Sequence, residues 1–147
     1  MLIGGFVVTG SGPKKVLVRA LGPTLTRFQV PGALANPQVE LFQEQTFRGF
    51  NDDWRNASNS AEILASGFAP PDDAESAILM TLDPGNYTAI VRGVAGTTGV
   101  ALVEGYDLDS SEPSKLFNIS TRGFVQTGDK VLIAGVVVNG PDNQIVL

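Results

Sequence analysis

The sequence predicts an all-β fold, because short apolar segments rich in β-branched residues recur between turn signals about 8–15 residues apart. The chain has 17 Gly and 9 Pro but only 17% charged residues, which is typical of many turns between short strands. Its 147 residues, 43% of them hydrophobic, can bury a sizeable core and exclude a disordered chain. We therefore expect residues 1–147 to form a single sandwich or barrel domain of about eight to ten strands.

The strands are predicted in chain order from apolar runs that Gly and Pro interrupt. They are expected at residues 2–8, 16–21, 38–42, 77–82, 87–91, 100–106, 116–119, 131–138 and 145–147. Residues 83–86 form a predicted turn, because Pro84 pre-sets φ and Gly85 tolerates a positive φ. The segments on either side of this turn predict a hairpin over residues 77–91.

At most one short helix is predicted, near residues 60–66. Asn59 can cap its start and Gly67 can end it, and we expect Ile63 and Leu64 to pack inward. Alternation along the strands predicts a core that includes Val16, Val18, Leu41, Phe42, Ile78, Met80, Leu82, Ile90, Val100, Leu102 and Ile133.

Two residue types are absent, and their absence limits the chemistry. The chain has no Cys, which excludes disulfides and thiolate zinc sites, and no His, the commonest general base. Its net charge of −5 argues against nucleic acid as a partner. Apolar runs of about six residues at most are too short for a membrane span, and no signal peptide is visible.

The two ends of the chain are copies of each other. Residues 2–17 align without a gap to residues 132–147, and eight of the 16 positions are identical. Two apolar hairpins of similar composition could produce such a match by chance. Matching Gly spacing favours a tandem array with a period of 130 residues, so that the chain holds one unit and the first 17 residues of the next.

One fold has one place for this segment, so one of the two copies is surplus. The surplus copy could pair at an edge of its own sheet, or it could insert into a neighbouring molecule by strand exchange. We therefore expect copies of the chain, or neighbouring repeats, to be partners. The predicted interface residues are Leu2, Ile3, Val7, Val8, Leu132, Ile133, Val137, Val138, Ile145 and Leu147.

Two motifs in the middle of the chain carry a resemblance. Residues 51–53 (NDD) and 76–107, with LDPGNYT at 82–88, resemble the bacterial pre-peptidase C-terminal domain over roughly residues 38–109. Residues 18–23 and 118–123 look like repeat modules of large secreted bacterial surface proteins. The resemblance implies a jelly-roll-like β-sandwich that is extracellular, at the bacterial cell surface, and not catalytic.

Acidic residues cluster in two predicted loops. Oxygen ligands from several loops are what Ca²⁺ requires, and the candidate ligands are Asp52, Asp53, Asp72 and Asp73. The alternative is that these residues start turns and are solvated. A glycosidase pair would need an apolar cleft, for which the sequence gives no sign. We expect no obligatory cofactor and no catalytic residue.

Aromatic and basic residues suggest two further sites. Trp54, Tyr87 and Tyr106 could stack on sugar rings, although buried rings with a bonded polar tip are commoner. Arg19 lies inside an apolar strand, and we expect it to form a structural ion pair with a carboxylate such as Glu104 in a neighbouring strand.

These observations predict a structural or adhesive module of an extracellular array or filament, in which the terminal strands mediate contact between units. The alternative function is a calcium- or carbohydrate-binding accessory domain. The first function places the important surfaces at the terminal strands, and the alternative places them in the acidic loops.

Overall fold

The computed structural model describes residues 1–109, 115–122 and 135, and these contain eight β-strands and one α-helix. The strands are β1 (Leu2–Thr9), β2 (Lys14–Leu21), β3 (Pro37–Gln43), β4 (Thr46–Asn51), β5 (Ser76–Leu82), β6 (Gly85–Gly93), β7 (Leu102–Asp107) and β8 (Lys115–Arg122). The helices are α1 (Ser60–Ala65) and 3-10 helices at Pro23–Phe28, Trp54–Asn56 and Val94–Gly96. In this part of the chain, no helix has the length and apolar character that crossing a membrane requires.

The strands form two antiparallel sheets, and the predicted all-β sandwich is confirmed. One sheet has five strands in the order β4-β3-β6-β1-β8, and the other has three in the order β5-β2-β7. The chain passes from one sheet to the other between β1 and β2 and again between β2 and β3. The predicted strands at 131–138 and 145–147 lie outside the described residues.

The predicted hairpin over residues 77–91 is wrong. β5 and β6 lie in different sheets, because β5 pairs with β2 while β6 pairs with β1 and β3. The Asp83 turn carries the chain across the sandwich, and the hydroxyl of Tyr87 donates to the Asp83 carbonyl oxygen at 2.7 Å. A turn motif specifies that the chain reverses direction; it does not specify the partner of the next strand.

The main core lies between the two sheets, and its side chains alternate along each strand. The buried residues of this cluster are Phe6, Val8, Val16, Val18, Ala20, Val39, Leu41, Ile78, Leu82, Tyr87, Ala89 and Val91. The predictions for Val16, Val18, Leu41, Ile78 and Leu82 are therefore confirmed. Phe42, Met80 and Ile90 are only partly buried, Val100 and Leu102 are exposed, and Ile133 lies outside the described residues.

A second apolar cluster lies on the outer face of the three-stranded sheet. Leu17 and Leu79 are covered there by Trp54 and Ile63, which belong to residues 54–69, hereafter the covering segment. The predicted helix is confirmed, but Leu64 does not pack inward and is 59% exposed. Successive residues of a helix point about 100° apart. Of the adjacent residues Ile63 and Leu64, therefore, only Ile63 faces the sheet.

We predict that Gly22→Ala strongly destabilises the fold. A Cβ at this position would overlap the backbone carbonyl oxygen of Leu34. This oxygen belongs to the main chain, so it cannot move aside as the end of a flexible side chain could. The free energy of unfolding should fall by about 2 kcal/mol or more, measured by urea denaturation. The matched control is Gly105→Ala in β7, where a Cβ meets no atom within 4 Å; equal losses in both variants would contradict the prediction.

Candidate functional site

The N-terminal candidate interface, β1, is an inner strand of the five-stranded sheet. It pairs with β6 on one side and with β8 on the other. Alternation divides the predicted interface residues into two pairs: Leu2 and Val8 pack into the core, whereas Ile3 and Val7 are half-buried on the opposite face. The backbone of β1 is therefore engaged with the body of the domain on both sides.

Two inward-facing residues of β1 pack closely against neighbouring strands, in the place in the sheet that we call the site of β1. The ring of Phe6 stacks on Tyr87 with ring centroids 5.4 Å apart. A Cβ on Gly4 would lie 3.0 Å from Cγ1 of Val103 in β7, so a side chain at this position would force Val103 to shift. These contacts show that the site of β1 is shaped for a small residue followed two positions later by a large aromatic one.

The C-terminal copy, residues 132–147, differs from β1 at these two positions. It has Ala134 where β1 has Gly4, and Val136 where β1 has Phe6. In the site of β1, a Val at the second position would lose the stack on Tyr87 and leave a cavity, at a cost of roughly 2 kcal/mol. The predicted interface residues Leu132, Ile133, Val137, Val138, Ile145 and Leu147 lie outside the described residues.

The strand β8 is the last strand of the five-stranded sheet in the described part of the chain. It pairs with β1 in an antiparallel register that matches Ile3 with Arg122 and Val7 with Asn118. The register shifts by one residue after Val7, which marks a β-bulge. The C-terminal copy begins ten positions after the end of β8, so β8 lies next to β1 in space and next to its copy in sequence.

The four predicted calcium ligands have other partners. Oδ1 of Asp52 accepts from the backbone N–H of Asp53, and Oδ1 of Asp72 accepts from that of Ala74. Asp53 accepts from the Asn56 side chain, and Asp73 pairs with Arg55. Within the described residues, no three acidic side chains come close enough together to hold a metal ion.

Among the carboxylates of the acidic loops, Glu75 has the most hydrogen bonds, although the sequence did not indicate it as a ligand. Glu75 is fully buried, and Oε1 accepts from the backbone N–H groups of Gly22 and Thr24 at 3.0 and 2.8 Å. Oε2 accepts from the Thr24 hydroxyl at 2.8 Å and from the N–H of Asp72 at 3.3 Å. No local sequence signal separates Glu75 from the neighbouring aspartates, because three of its four donors come from a turn about 50 residues away in sequence.

The three predicted sugar-stacking rings do not share a surface. Trp54 is buried in the cluster under the covering segment, and its Nε1 donates to the Asp72 carbonyl oxygen at 3.1 Å. Tyr87 is buried in the main core between the sheets. Tyr106 is partly exposed on the outer face of the three-stranded sheet, where the ring of Phe68 stacks on it at 4.4 Å.

The predicted ion pair of Arg19 with Glu104 is confirmed. The two residues are cross-strand partners in β2 and β7, and Nε of Arg19 lies 2.7 Å from Oε2 of Glu104. Arg19 also donates to the Tyr106 hydroxyl at 2.8 Å and to the Phe68 carbonyl oxygen at 2.7 Å. Arg19 thus fastens the end of the covering segment to the three-stranded sheet.

Both tyrosines of the chain have a raised pKa. Burial raises the pKa of the Tyr106 phenol above its ordinary value of 10.0, and the Glu104 carboxylate raises it further. Burial also raises the pKa of Tyr87, although the positive charge of Arg48 opposes the shift. The neutral phenols are therefore the forms that the folded state favours.

An open cleft of about 450 Å³ lies between the edge strands β4 and β5. Its lining includes Phe50, Asp52, Asn59 and Met80. Two side-chain amides bond to the backbone of β5 here: Asn51 accepts from the Ala77 N–H, and Asn59 donates to the Leu79 carbonyl oxygen. These bonds partly block the edge of β5 against another strand.

The comparisons with known proteins return no match. No protein-family model matches the sequence, and neither the curated proteins nor the solved structures give a significant match. The resemblance to the pre-peptidase C-terminal domain consequently depends on residues 51–53 and 76–107 alone.

We predict that Glu75→Gln destabilises the chain by about 1–3 kcal/mol. The amide can replace one carboxylate oxygen, but its NH₂ group then faces a hydrogen-bond donor, which leaves a buried N–H without an acceptor. Urea denaturation at neutral pH measures the loss. Glu62→Gln in α1, where the ion pair with Lys15 is exposed, is the matched control and should change little.

We predict that stability falls at alkaline pH as the tyrosines ionise. Because the folded state has the higher pKa for Tyr87 and Tyr106, the stability they contribute is complete below pH 10.0. It is lost as the pH rises from the unfolded-state value through the folded-state values. These are the only tyrosines, so phenolate absorbance reports on them alone; the native chain should titrate at higher pH than the chain in urea, and coincident curves would contradict the shifts.

Proposed function

We propose that the chain is a non-catalytic structural module of a repeated array, and that β8 contacts the C-terminal copy of β1. The observation that carries the proposal is the position of β8: it pairs with β1, and a copy of β1 follows it in the sequence. The resemblance to repeat modules of secreted bacterial surface proteins supports an extracellular setting for such an array.

The length of the connection favours contact between β8 and the C-terminal copy. Residues 123–131 separate the two segments, and antiparallel strands can be joined by connections much shorter than this. The period of 130 residues places Val137 at the position of Val7. Because β1 occupies one edge of β8, we propose that the copy pairs with the opposite edge, with Val137 beside Asn118.

The fit of β1 favours contact over exchange of strands between molecules. Replacement of β1 by the C-terminal copy would exchange Gly4 for Ala134 against Val103, and Phe6 for Val136 against Tyr87. Both changes weaken packing in the site, so an intact β1 competes successfully for it. Exchange would then require that β1 leave the sheet first.

The interior contacts also support a structural role. The aromatic and charged side chains that could have served a ligand are instead bonded within the fold, as the Trp54–Asp72 and Arg19–Glu104 contacts illustrate. They fix the covering segment on the three-stranded sheet, which makes the module stiff.

We predict that a disulfide forms between Asn118→Cys and Val137→Cys. Strand partners have Cα separations of about 4.5–5.5 Å, within reach of a disulfide, and the chain has no other Cys to compete. Mild oxidation followed by a non-reducing gel measures the bond. A bond within one chain indicates a strand contact, and a ladder of bonded chains indicates exchange.

The matched control joins Asn118→Cys with Val138→Cys, which has almost the same tether but places the second sulfur on the other face of the strand. The pair Val7→Cys and Asn118→Cys, partners in the structure, is the positive control. If the control with Val138 oxidises as completely as the pair with Val137, or if only the positive control oxidises, the proposed function is contradicted.

A further inference from the structure

The outer face of the five-stranded sheet carries a group of apolar side chains. The residues at the outward positions of four strands include an apolar group, hereafter the apolar outer face: Ile3, Val7, Phe42, Phe47, Phe50 and Ile90. Phe42 and Phe47 are cross-strand partners in edge-to-face contact, with ring centroids 5.7 Å apart. Phe47 and Phe50 remain 56% and 49% exposed.

The two sheets differ in how their outer faces are covered. On the three-stranded sheet, the chain itself buries Leu17 and Leu79 under the covering segment. On the five-stranded sheet, the side chains of the apolar outer face stay half-buried or exposed. Exposed apolar side chains that cluster on one face mark interaction sites more often than single exposed apolar residues do.

The arrangement of charges on this face permits a second negatively charged chain to approach it. The outward charged residues of β3 and β6 are Glu40 and Arg92, and they form an ion pair with each other. The chain as a whole has a net charge of −5, so two copies repel each other in general. On β3 and β6 the outward charges are paired with each other, which limits the repulsion at this part of the face.

We infer that the apolar outer face packs against the same face of a neighbouring copy of this module. The inference rests on the proposed function, because the sequence repeat is what supplies a second copy tethered nearby. Two sheets can pack face to face about 10 Å apart with their side chains interdigitated. The aromatic residues of β3 and β4 would then be covered in the same way as Leu17 and Leu79 already are.

The size of the face explains why the partner is a tethered copy. Five strands about 4.8 Å apart and about six residues long give a face of roughly 20 by 20 Å, so two copies bury on the order of 800 Å² in total. Stable complexes of separate proteins bury about 1,200–2,000 Å². The contact is therefore weak between free chains and becomes effective when a short linker raises the local concentration.

The test is self-association of the full chain at high concentration. Sedimentation equilibrium from micromolar to millimolar chain should show weak dimerisation, and Phe47→Ser with Phe50→Ser should weaken it at least about tenfold. Phe50→Ser alone, which retains the Phe42–Phe47 contact, is a milder second variant. The matched control is Phe28→Ser, because Phe28 is 74% exposed in the 3-10 helix after β2 and outside the apolar outer face.

Each outcome bears on the inference. Loss of dimers in the variants of the apolar outer face but not in Phe28→Ser supports it. A chain that stays monomeric throughout, or that dimerises equally well with both phenylalanines replaced, overturns it. Val137→Asp in the full chain separates the two proposals. If dimers are lost only in this variant, the contact is assigned to the C-terminal copy. If dimers persist although the Asn118–Val137 disulfide does not form in the cysteine variant, the proposed function is rejected and the contact through the apolar outer face is retained.

Discussion

The carboxylate of Glu75 holds three parts of the sandwich together. Its oxygens accept from the turn after β2, at Gly22 and Thr24, and its backbone carbonyl accepts from the N–H of Trp54 in the covering segment. The residue also immediately precedes β5, which pairs with β2 from Ser76 onward. A buried carboxylate is costly unless it is fully bonded, and four donors satisfy this one. The register of β2 against β5 and the position of the covering segment are thus linked through one residue.

That register determines what lies on each face of the three-stranded sheet. Val16 and Val18 point between the sheets, whereas Leu17 and Arg19 point to the covering segment. Arg19 lies among apolar residues in the second half of β2, where an unpaired charge is costly, so it required a partner. This is why the Arg19–Glu104 pair could be predicted from the sequence: an arginine among apolar neighbours has few ways to keep its charge satisfied.

The failed predictions concern partners rather than local structure. The Asp83 turn and the helix at α1 are where the sequence places them, because proline and glycine act over a few positions. The side chain of Asn59, which was predicted to cap α1, makes no cap hydrogen bond and donates instead to the Leu79 carbonyl oxygen. The pairing of β5 and β6 with other strands, the exposure of Leu64 and the burial of Glu75 all depend on segments distant in sequence. The calcium site stays a prediction, since an aspartate that bonds to the next backbone N–H and one that binds a metal ion have the same local sequence.

The two ends of the chain are similar enough to be repeats and different enough to remain separate. Adjacent units with identical strands risk exchange of those strands during folding. The positions at which β1 and the C-terminal copy agree include the outward Ile3 and Val7, whereas two positions that disagree, Gly4 and Phe6, are those that touch Val103 and Tyr87. In the proposed array, outward residues meet a neighbouring unit, whereas inward residues meet a unit's own core. In that array, the changes at Gly4 and Phe6 would favour β1 in its own unit, although the inward Leu2 and Val8 are the same in both copies. Identity at Ile3 and Val7 would keep the contact between units the same.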